Sequence, residues 1–208
     1  CLLVITVALV NTHSRLGMTA TIVGAILAQS LGRPLQWRAV LTLAMVAIAG
    51  VAVFGRDLLE QTSGLAQSAT TRLDLYRQVQ TMIAERPIFG VGNDSFSLAF
   101  QRFHAPPVTA EFVWDRAHST YLTLWSELGL VFGSVPMLCG ALAAIALLQV
   151  VIERRHGRTL AVAGLAALGL SGFHSLADFS LEIQANMFCL LAIVALGLGQ
   201  NAFRKETE

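Results

Sequence analysis

Apolar and polar residues of this chain are sorted into long blocks. Apolar runs occupy residues 1–10, 16–31, 39–54, 129–151, 159–173 and 185–203. A long polar segment, 71–128, separates the third run from the fourth. An α-helix rises about 1.5 Å per residue and a bilayer core is about 30 Å thick, so these runs predict membrane-spanning helices, of which 16–31 is a little short and must tilt little or include flanking residues. The pattern predicts an all-α fold, a polytopic membrane helix bundle around a polar loop region.

The same pattern predicts three regions. We expect transmembrane helices in residues 1–55, a loop region with short amphipathic helices in residues 56–128, and further transmembrane helices with a C-terminal tail in residues 129–208. Gly24 and Ala20 put small residues at helical spacing in the second run, which is typical of close helix packing in lipid. The chain begins inside an apolar run without an initiator Met, so we interpret it as the C-terminal fragment of a larger bundle.

Composition supports a membrane protein. Of the 208 residues, 55% are hydrophobic and 13% are charged, and the mean hydropathy is +0.64. An ordinary soluble domain has about 25% charged residues. The net charge is +1 and no basic stripe with interleaved aromatic residues occurs, so we expect no nucleic-acid partner. The three cysteines lie in apolar runs, without the spacing of a disulfide framework or a zinc site.

Basic residues in the short loops predict the orientation. If the spans alternate, one membrane face carries Arg33, Arg38, Arg154, Arg155, Arg158, Arg204 and Lys205. The positive-inside rule assigns that face, and the C-terminal tail with it, to the cytoplasm. The polar segment then lies on the opposite side of the membrane from the cytoplasm, which in a bacterium would be the periplasm. Whatever the orientation, alternating spans place Arg15, the polar segment and residues 174–182 on the same membrane face.

The first part of the polar segment has helical spacing. Thr71 and Asp74 resemble a capping box, and apolar residues recur from there until Pro87 stops the run. The apolar positions are Leu73, Tyr76, Val79 or Gln80, and Ile83. We predict an amphipathic helix that lies on the membrane surface and carries Arg72 and Arg77 at other positions. Contact with solvent or lipid headgroups is the alternative explanation for either arginine.

Residues 87–94 read Pro-Ile-Phe-Gly-Val-Gly-Asn-Asp and predict a tight turn into a short helix capped by Asp94. Two glycines at this spacing suggest a phosphate loop. The third glycine of the dinucleotide fingerprint, a Gly-Lys-Ser/Thr ending and a preceding strand are all missing, however. We interpret the stretch as a structural turn, although amides at a helix start can also hold an anion.

Histidines supply the candidate base. We expect His118 at the N-terminal end of a third amphipathic helix, where the helix dipole lowers the pKa of an imidazole and keeps it neutral near pH 7. A capping or interface contact is the alternative. His174 and Asp178 are four residues apart and could pair on one helical turn.

Two stretches of the polar segment resemble a known family. The run RQVQTMIAERPIFGVGNDSF, five residues after Arg72, and the later run AHSTYLTLWSELGLVFG are similar to the core of the bacterial O-antigen ligase family. The relatives of this family include O-antigen and exopolysaccharide polymerases and oligosaccharyltransferases that act on proteins. Residues 12–31 resemble the family's preceding Ser-Arg helix, and residues 174–179 a His-x-x-x-Asp-Phe stretch of polymerase-like members. Tyr76 and Ser119 stand where Trp and Asn are common.

The resemblance implies glycan transfer at the periplasmic face, without a metal, cofactor or nucleotide sugar. The donor would be a glycan on undecaprenyl diphosphate, and the acceptor hydroxyl would belong to lipid A core, another glycan or a protein. By matching position, Arg15 and Arg72 bind the diphosphate, or Arg77 replaces Arg72 if the helix is rotated. His118 accepts the acceptor proton. We expect His174 and Asp178 to be accessory residues, as the resemblance at 174–179 suggests.

Other functional classes remain open. A polymerase of the same family would use the same chemistry. An intramembrane hydrolase needs a nucleophile, for which Ser171 near His174 is a weak candidate because no Gly-x-Ser-x-Gly elbow is present. A transporter would carry ionisable groups at mid-membrane depth, whereas these spans are nearly free of charge. A metal hydrolase is disfavoured because His-Glu-x-x-His is absent.

Overall fold

The computed structural model describes residues 15–32, 62–111, 113–153 and 158–205, so the predicted spans at 1–10 and 39–54 lie outside the described residues. Within those ranges the chain forms helices and no strand, which confirms the all-α prediction there. The helices are α1 (Arg15–Gly32), α2 (Thr62–Glu85), α3 (Phe96–Phe100), α4 (Thr120–Gly133), α5 (Val135–Glu153), α6 (Thr159–His174) and α7 (Gln184–Lys205), with a 3-10 turn at Ser180–Glu182.

Helix α5 is long and apolar enough to cross a membrane, and it is the one such helix in the described part of the chain. Helices α1, α6 and α7 contain shorter apolar stretches. The continuous span predicted for residues 129–151 is wrong, because Gly129 leaves the helical conformation with φ 76 and ψ 170 and α5 begins afresh at Val135. Pro136 lies in the first turn of α5, where its missing N–H breaks no helical hydrogen bond.

Contacts divide the chain into two compact units. The bundle unit comprises Cys1–Glu60, Ala141–His174 and Gln184–Glu208, and the loop unit comprises Gln61–Gly140 and Ser175–Ile183. The loop unit therefore includes a short segment that follows α6 in sequence. The division into regions 1–55, 56–128 and 129–208 stays a prediction.

Small residues bring helices together in the bundle unit. Helix α6 packs against both α1 and α7. Ala20 is fully buried on α1, and a Cβ atom added to Gly24 would lie 2.8 Å from Cδ1 of Leu170 on α6. Gly169 of α6 is equally close to Leu27. These contacts fit the small-residue packing expected from the sequence, in which dispersion between closely spaced helices supplies the attraction.

The loop unit has its own apolar core. Helix α2 buries one stripe against α3 and the loops that follow it; the buried residues are Leu75, Val79, Met82, Ile83, Phe96, Phe100, Val108 and Ala117. Leu73, predicted to lie on this stripe, is exposed instead. The helix begins at Thr62, so the expected capping box at Thr71 does not exist. Since protein covers the apolar face of α2, that face does not lie on a membrane surface.

Two segments of the loop unit, residues 87–92 and 126–130, are joined by backbone hydrogen bonds, and we call them the glycine clasp. Leu130 N donates to the carbonyl of Pro87 at 2.7 Å, and Gly92 N donates to the carbonyl of Glu127 at 2.9 Å. Gly90 and Gly129 have φ of 66 and 76, and a Cβ atom on Gly129 would collide with the Ile88 carbonyl. Glycine is required at both positions because no other residue combines this backbone with so close an approach.

The backbone contacts of the clasp explain the spacing of Gly90 and Gly92, so a phosphate-binding loop is not needed to explain it. Backbone carbonyls of α4 accept hydrogen bonds from the backbone N–H groups of Val91 and Gly92. The first amide of α3, Phe96 N, donates to Oε1 of Glu127 at 3.1 Å, and Ser95 rather than Asp94 occupies the cap position. The structural interpretation of this turn therefore fits the contacts, whereas the predicted Asp94 cap is wrong.

Candidate functional site

Arg72 and Tyr76 lie one turn apart on the same face of α2, fixed there because the neighbouring stripe of the helix is buried in the core. The Tyr76 hydroxyl donates to the carbonyl of His118 at 2.9 Å and lies 3.4 Å from the carbonyl of Leu176. Arg72 Nη1 donates to the carbonyl of Ala177 at 3.4 Å. Helix α2 is thereby tied to the two chain segments that carry the rest of the site.

His118 is held in an unusual backbone conformation. Its φ is 52, in the left-handed region that residues other than glycine seldom adopt. The flanking Ala117 and Ser119 are buried, and α4 begins immediately after Ser119. A residue in this conformation stores about 1–3 kcal/mol of strain, which the surroundings must offset, and such strain is concentrated at functional sites. The fold therefore specifies where the imidazole lies.

Two aromatic rings flank the imidazole of His118. The ring centroids of Trp114 and Phe179 lie 5.7 Å and 5.5 Å from that of His118, both in edge-on geometry. Among the residues that the structure describes, none forms a hydrogen bond with the imidazole nitrogens. A nitrogen of the half-buried ring is therefore open to a proton from a bound substrate.

Burial lowers the pKa of His118, and the positive charge of Arg72 lowers it further, while Asp115 and Asp178 act in the opposite direction. The direction of the pKa shift agrees with the sequence prediction. The largest causes of the lowered pKa are burial, followed by the neighbouring Arg72 cation. A pKa below the ordinary value of 6.5 favours the neutral imidazole at pH 7, which is the form that can act as a base.

Residues 175–179 are bound to the first turn of α4. Thr120 N lies 3.1 Å from the carbonyls of both Ser175 and Asp178, and the Thr120 hydroxyl donates to the Asp178 carbonyl at 3.1 Å. The Ser119 hydroxyl donates to the carbonyl of Ser175. These carbonyls satisfy the first free amide of α4. They also fix Asp178 near enough to His118 to influence its pKa.

An ion pair supports the ring that flanks His118. Arg116 Nη1 donates to Oε2 of Glu182 at 2.6 Å, and the Arg116 guanidinium lies 5.2 Å from the centre of the Phe179 ring. Burial raises the pKa of the Glu182 carboxyl, and the hydrogen bond from Arg116 opposes that rise. Because Arg116 packs on the Phe179 ring, that ring is held in position against the His118 imidazole.

The structure brings together some of the predicted site residues. Arg72, His118 and Asp178 share one side of the loop unit and interact electrostatically. Arg77 points elsewhere, since it is 74% exposed and pairs with Asp74 at 2.7 Å. Arg15 begins α1, but its side chain lies outside the described residues. Since α6 ends at His174, His174 and Asp178 do not lie on one helical turn, and their pairing stays a prediction.

The groups that support the imidazole do not follow from the sequence pattern. Tyr76 was assigned to the apolar stripe, although its hydroxyl holds the His118 carbonyl. Arg116 and Glu182 are 66 residues apart, and no local pattern connects them. No motif includes Trp114, whereas Phe179 belongs to the His-x-x-x-Asp-Phe stretch. That stretch was the one available signal that the chain returns to this site after α6.

The cluster combines a neutral base, a guanidinium and a carboxylate. Such a site can take a proton from one reacting group while it stabilises negative charge on another. Within the described ranges, no group of three or more His, Cys, Asp or Glu side chains is arranged to hold a metal ion. The side chains that the cluster does contain are suited to acid–base transfer beside a bound anion.

Comparison with known proteins identifies a family over much of the chain. A family model described as O-antigen ligase matches residues 1–135. The match includes Arg15, Arg72 and His118. Searches of curated proteins and of solved structures found no match.

Proposed function

Because the chain belongs to the O-antigen ligase family, an integral membrane family, we propose that it transfers a glycan from a lipid diphosphate to an acceptor hydroxyl. Undecaprenyl diphosphate is the proposed carrier, and the transfer takes place at the periplasmic face of a bacterial inner membrane. The observation that carries the proposal is the half-buried, neutral His118 imidazole in one cluster with the Arg72 guanidinium.

His118 is the proposed general base. The acceptor hydroxyl loses its proton to an imidazole nitrogen while its oxygen forms a bond to the anomeric carbon of the donor glycan. The bond from that carbon to the diphosphate oxygen breaks, and the electron pair leaves with the lipid diphosphate. A single base on one side of the sugar and a leaving group on the other favour inversion at the anomeric carbon. A positioned base of this kind contributes typically about 10²–10⁴-fold to rate.

Arg72 is the proposed cation for the leaving group. Negative charge grows on the diphosphate as the glycosidic bond breaks, and a guanidinium can bind two phosphate oxygens at once. Within the described ranges Arg72 makes one side-chain hydrogen bond, to the Ala177 carbonyl, and this bond is long at 3.4 Å, so most of the guanidinium donors remain for a ligand. Arg15, on α1, is the proposed second diphosphate ligand by the family resemblance.

Arg77 is the weaker candidate for the diphosphate. Its guanidinium already binds the Asp74 carboxylate, and it lies on a different face of α2 from Arg72. The proposal therefore keeps Arg72 and assigns Arg77 to the surface. Asp178 is proposed as an accessory residue that tunes the His118 pKa upward and stabilises the imidazolium after proton transfer.

Lipid A core is the proposed acceptor, which makes the protein a ligase; a polymerase would instead join one repeat unit to another. The test is complementation with the full-length gene in cells that lack it, followed by gel analysis of surface polysaccharide. Restored glycan on lipid A core supports ligation. A ladder built from single repeats would show that the protein is a polymerase and not a ligase. No change in any glycan would overturn the proposal.

A further inference from the structure

Exposed apolar side chains lie within and directly after the two segments of the glycine clasp. They are Ile88, Phe89, Val131, Phe132, Val135 and Leu138, and we call them the apolar rim. Phe89 is 73% exposed and Ile88 is 55% exposed, even though both lie in a short turn of the polar segment. Single exposed apolar residues are ordinary, but a contiguous group marks an interaction surface.

The turn is held rigidly in this exposed position. Phe89 stacks on Phe132 with ring centroids 5.9 Å apart. The backbone beneath the two rings is fixed by the bond from Leu130 N to the Pro87 carbonyl and by the close approach of Gly90 and Gly129. The clasp thus presents Ile88 and Phe89 outward on a fixed backbone, so binding through them costs little further backbone freedom.

The rim continues the surface of the apolar helix α5. Val135 and Leu138 belong to the first turns of that helix, and Phe132 precedes it by three residues. Residues 129–152 contain no charged side chain. A helix of this length and composition has lipid around it in an integral membrane protein. Lipid therefore extends from the surface of α5 to the stacked Phe132 and Phe89 rings.

The residues next to the rim suit the boundary between lipid and water. Aromatic side chains are enriched at that level of a bilayer. Arg86, immediately before Pro87, is exposed and makes no ion pair with any residue of the described ranges. Its cation is available to the phosphates of lipid headgroups while the apolar turn enters beneath them.

We propose that the apolar rim is a lipid-binding surface and that Ile88 and Phe89 insert beneath the headgroups of the bilayer next to the start of α5. The insertion anchors the loop unit at the membrane surface through the clasp turn. Helix α2, whose apolar face is covered by protein, is not the anchor.

The test uses the full-length protein in vesicles of phosphatidylethanolamine and phosphatidylglycerol. Its cysteines are replaced by serine, and a nitroxide is attached at Phe89→Cys, at Ile88→Cys or at the control Glu111→Cys. Glu111 is an exposed charged position in the same unit. Collision rates of the nitroxide with oxygen, which concentrates in lipid, and with a water-soluble nickel chelate report its surroundings.

We expect oxygen to reach the labels at 88 and 89 several-fold more often than the nickel chelate, with the reverse ratio at 111. Ratios at 88 and 89 equal to that at 111 would place the turn in water and overturn the proposal. Shielding of both labels from both reagents would show that protein covers the rim, and would overturn it too. The readout needs no glycan transfer, so the result is independent of the proposed function.

Discussion

The loop unit and the bundle unit are stabilised in different ways. In the bundle unit, glycines such as Gly24 and Gly169 let leucine side chains approach a neighbouring helix closely. In the loop unit, Gly90 and Gly129 let backbone meet backbone in left-handed conformations, and hydroxyl and amide groups hold loops through carbonyl oxygens. The first arrangement tolerates adjustment because a side chain can move. The second fixes atoms in place, which a chemical site requires.

The comparison predicts that removal of a site cation has the largest effect. Arg72→Ala leaves the growing negative charge on the diphosphate without its guanidinium, and we expect transfer to fall by about 10²-fold or more. Arg77→Ala, a matched change on the same helix, removes an exposed ion pair and should leave the rate within about twofold. Transfer by purified protein in vesicles, at equal reconstituted amounts, measures both. Equal losses in the two variants would move the diphosphate site away from the Arg72 face.

Glycine substitutions separate the two units directly. Gly129→Ala places a methyl group on the Ile88 carbonyl at a backbone φ of 76, so we expect it to cost about 3 kcal/mol or more. Gly24→Ala meets the flexible end of Leu170 and should cost about 1–3 kcal/mol. Gly140→Ala, with no atom within 4 Å of the added carbon, is the control. Thermal unfolding in detergent measures the stability of the three variants. If Gly24→Ala were the least stable, the loop unit would not be the part of the chain that depends more strongly on its glycines.

A smaller effect is expected on the pH profile. His118 must be neutral to act, so transfer should fail as the pH drops through its pKa, which lies below the ordinary value of 6.5. Asp115 raises that pKa, so Asp115→Asn should shift the acid limb further toward low pH. The shift should weaken with added salt because Asp115 is exposed. Glu111→Gln is the control, and a shift toward higher pH in Asp115→Asn would contradict this account of the electrostatics.

Local pattern was enough to predict the helical class and several helices, while the two central side chains of the proposed site came from the family resemblance. The all-α class and the bounds of α1 and α6 follow from apolar runs, and Arg72 and His118 from the resemblance of their surroundings to the family. The face of α2 did not follow, because stripes through Leu73 or through Leu75 fit helical spacing equally well. The choice depends on Phe96 and Phe100, which pack against the second stripe.

Long-range contacts explain what else the sequence did not predict. The Arg116–Glu182 ion pair forms because the chain returns to the loop unit after α6. The glycine clasp needs a turn and a helix end that are about forty residues apart in sequence. Neither leaves a periodic signal, since periodicity reports the environment of one element and not the partner it meets.

The central claim is that His118 is the base of a glycan transfer. The most direct measurement compares surface polysaccharide from cells that lack the gene and carry wild type, His118→Ala or His104→Ala at matched protein levels. His104 lies in the same unit, where its imidazole bonds the carbonyls of Val108 and Thr109. The account predicts glycan on lipid A core with wild type and His104→Ala, and full-length chains left on the lipid carrier with His118→Ala. Wild-type levels of transfer by His118→Ala would contradict it.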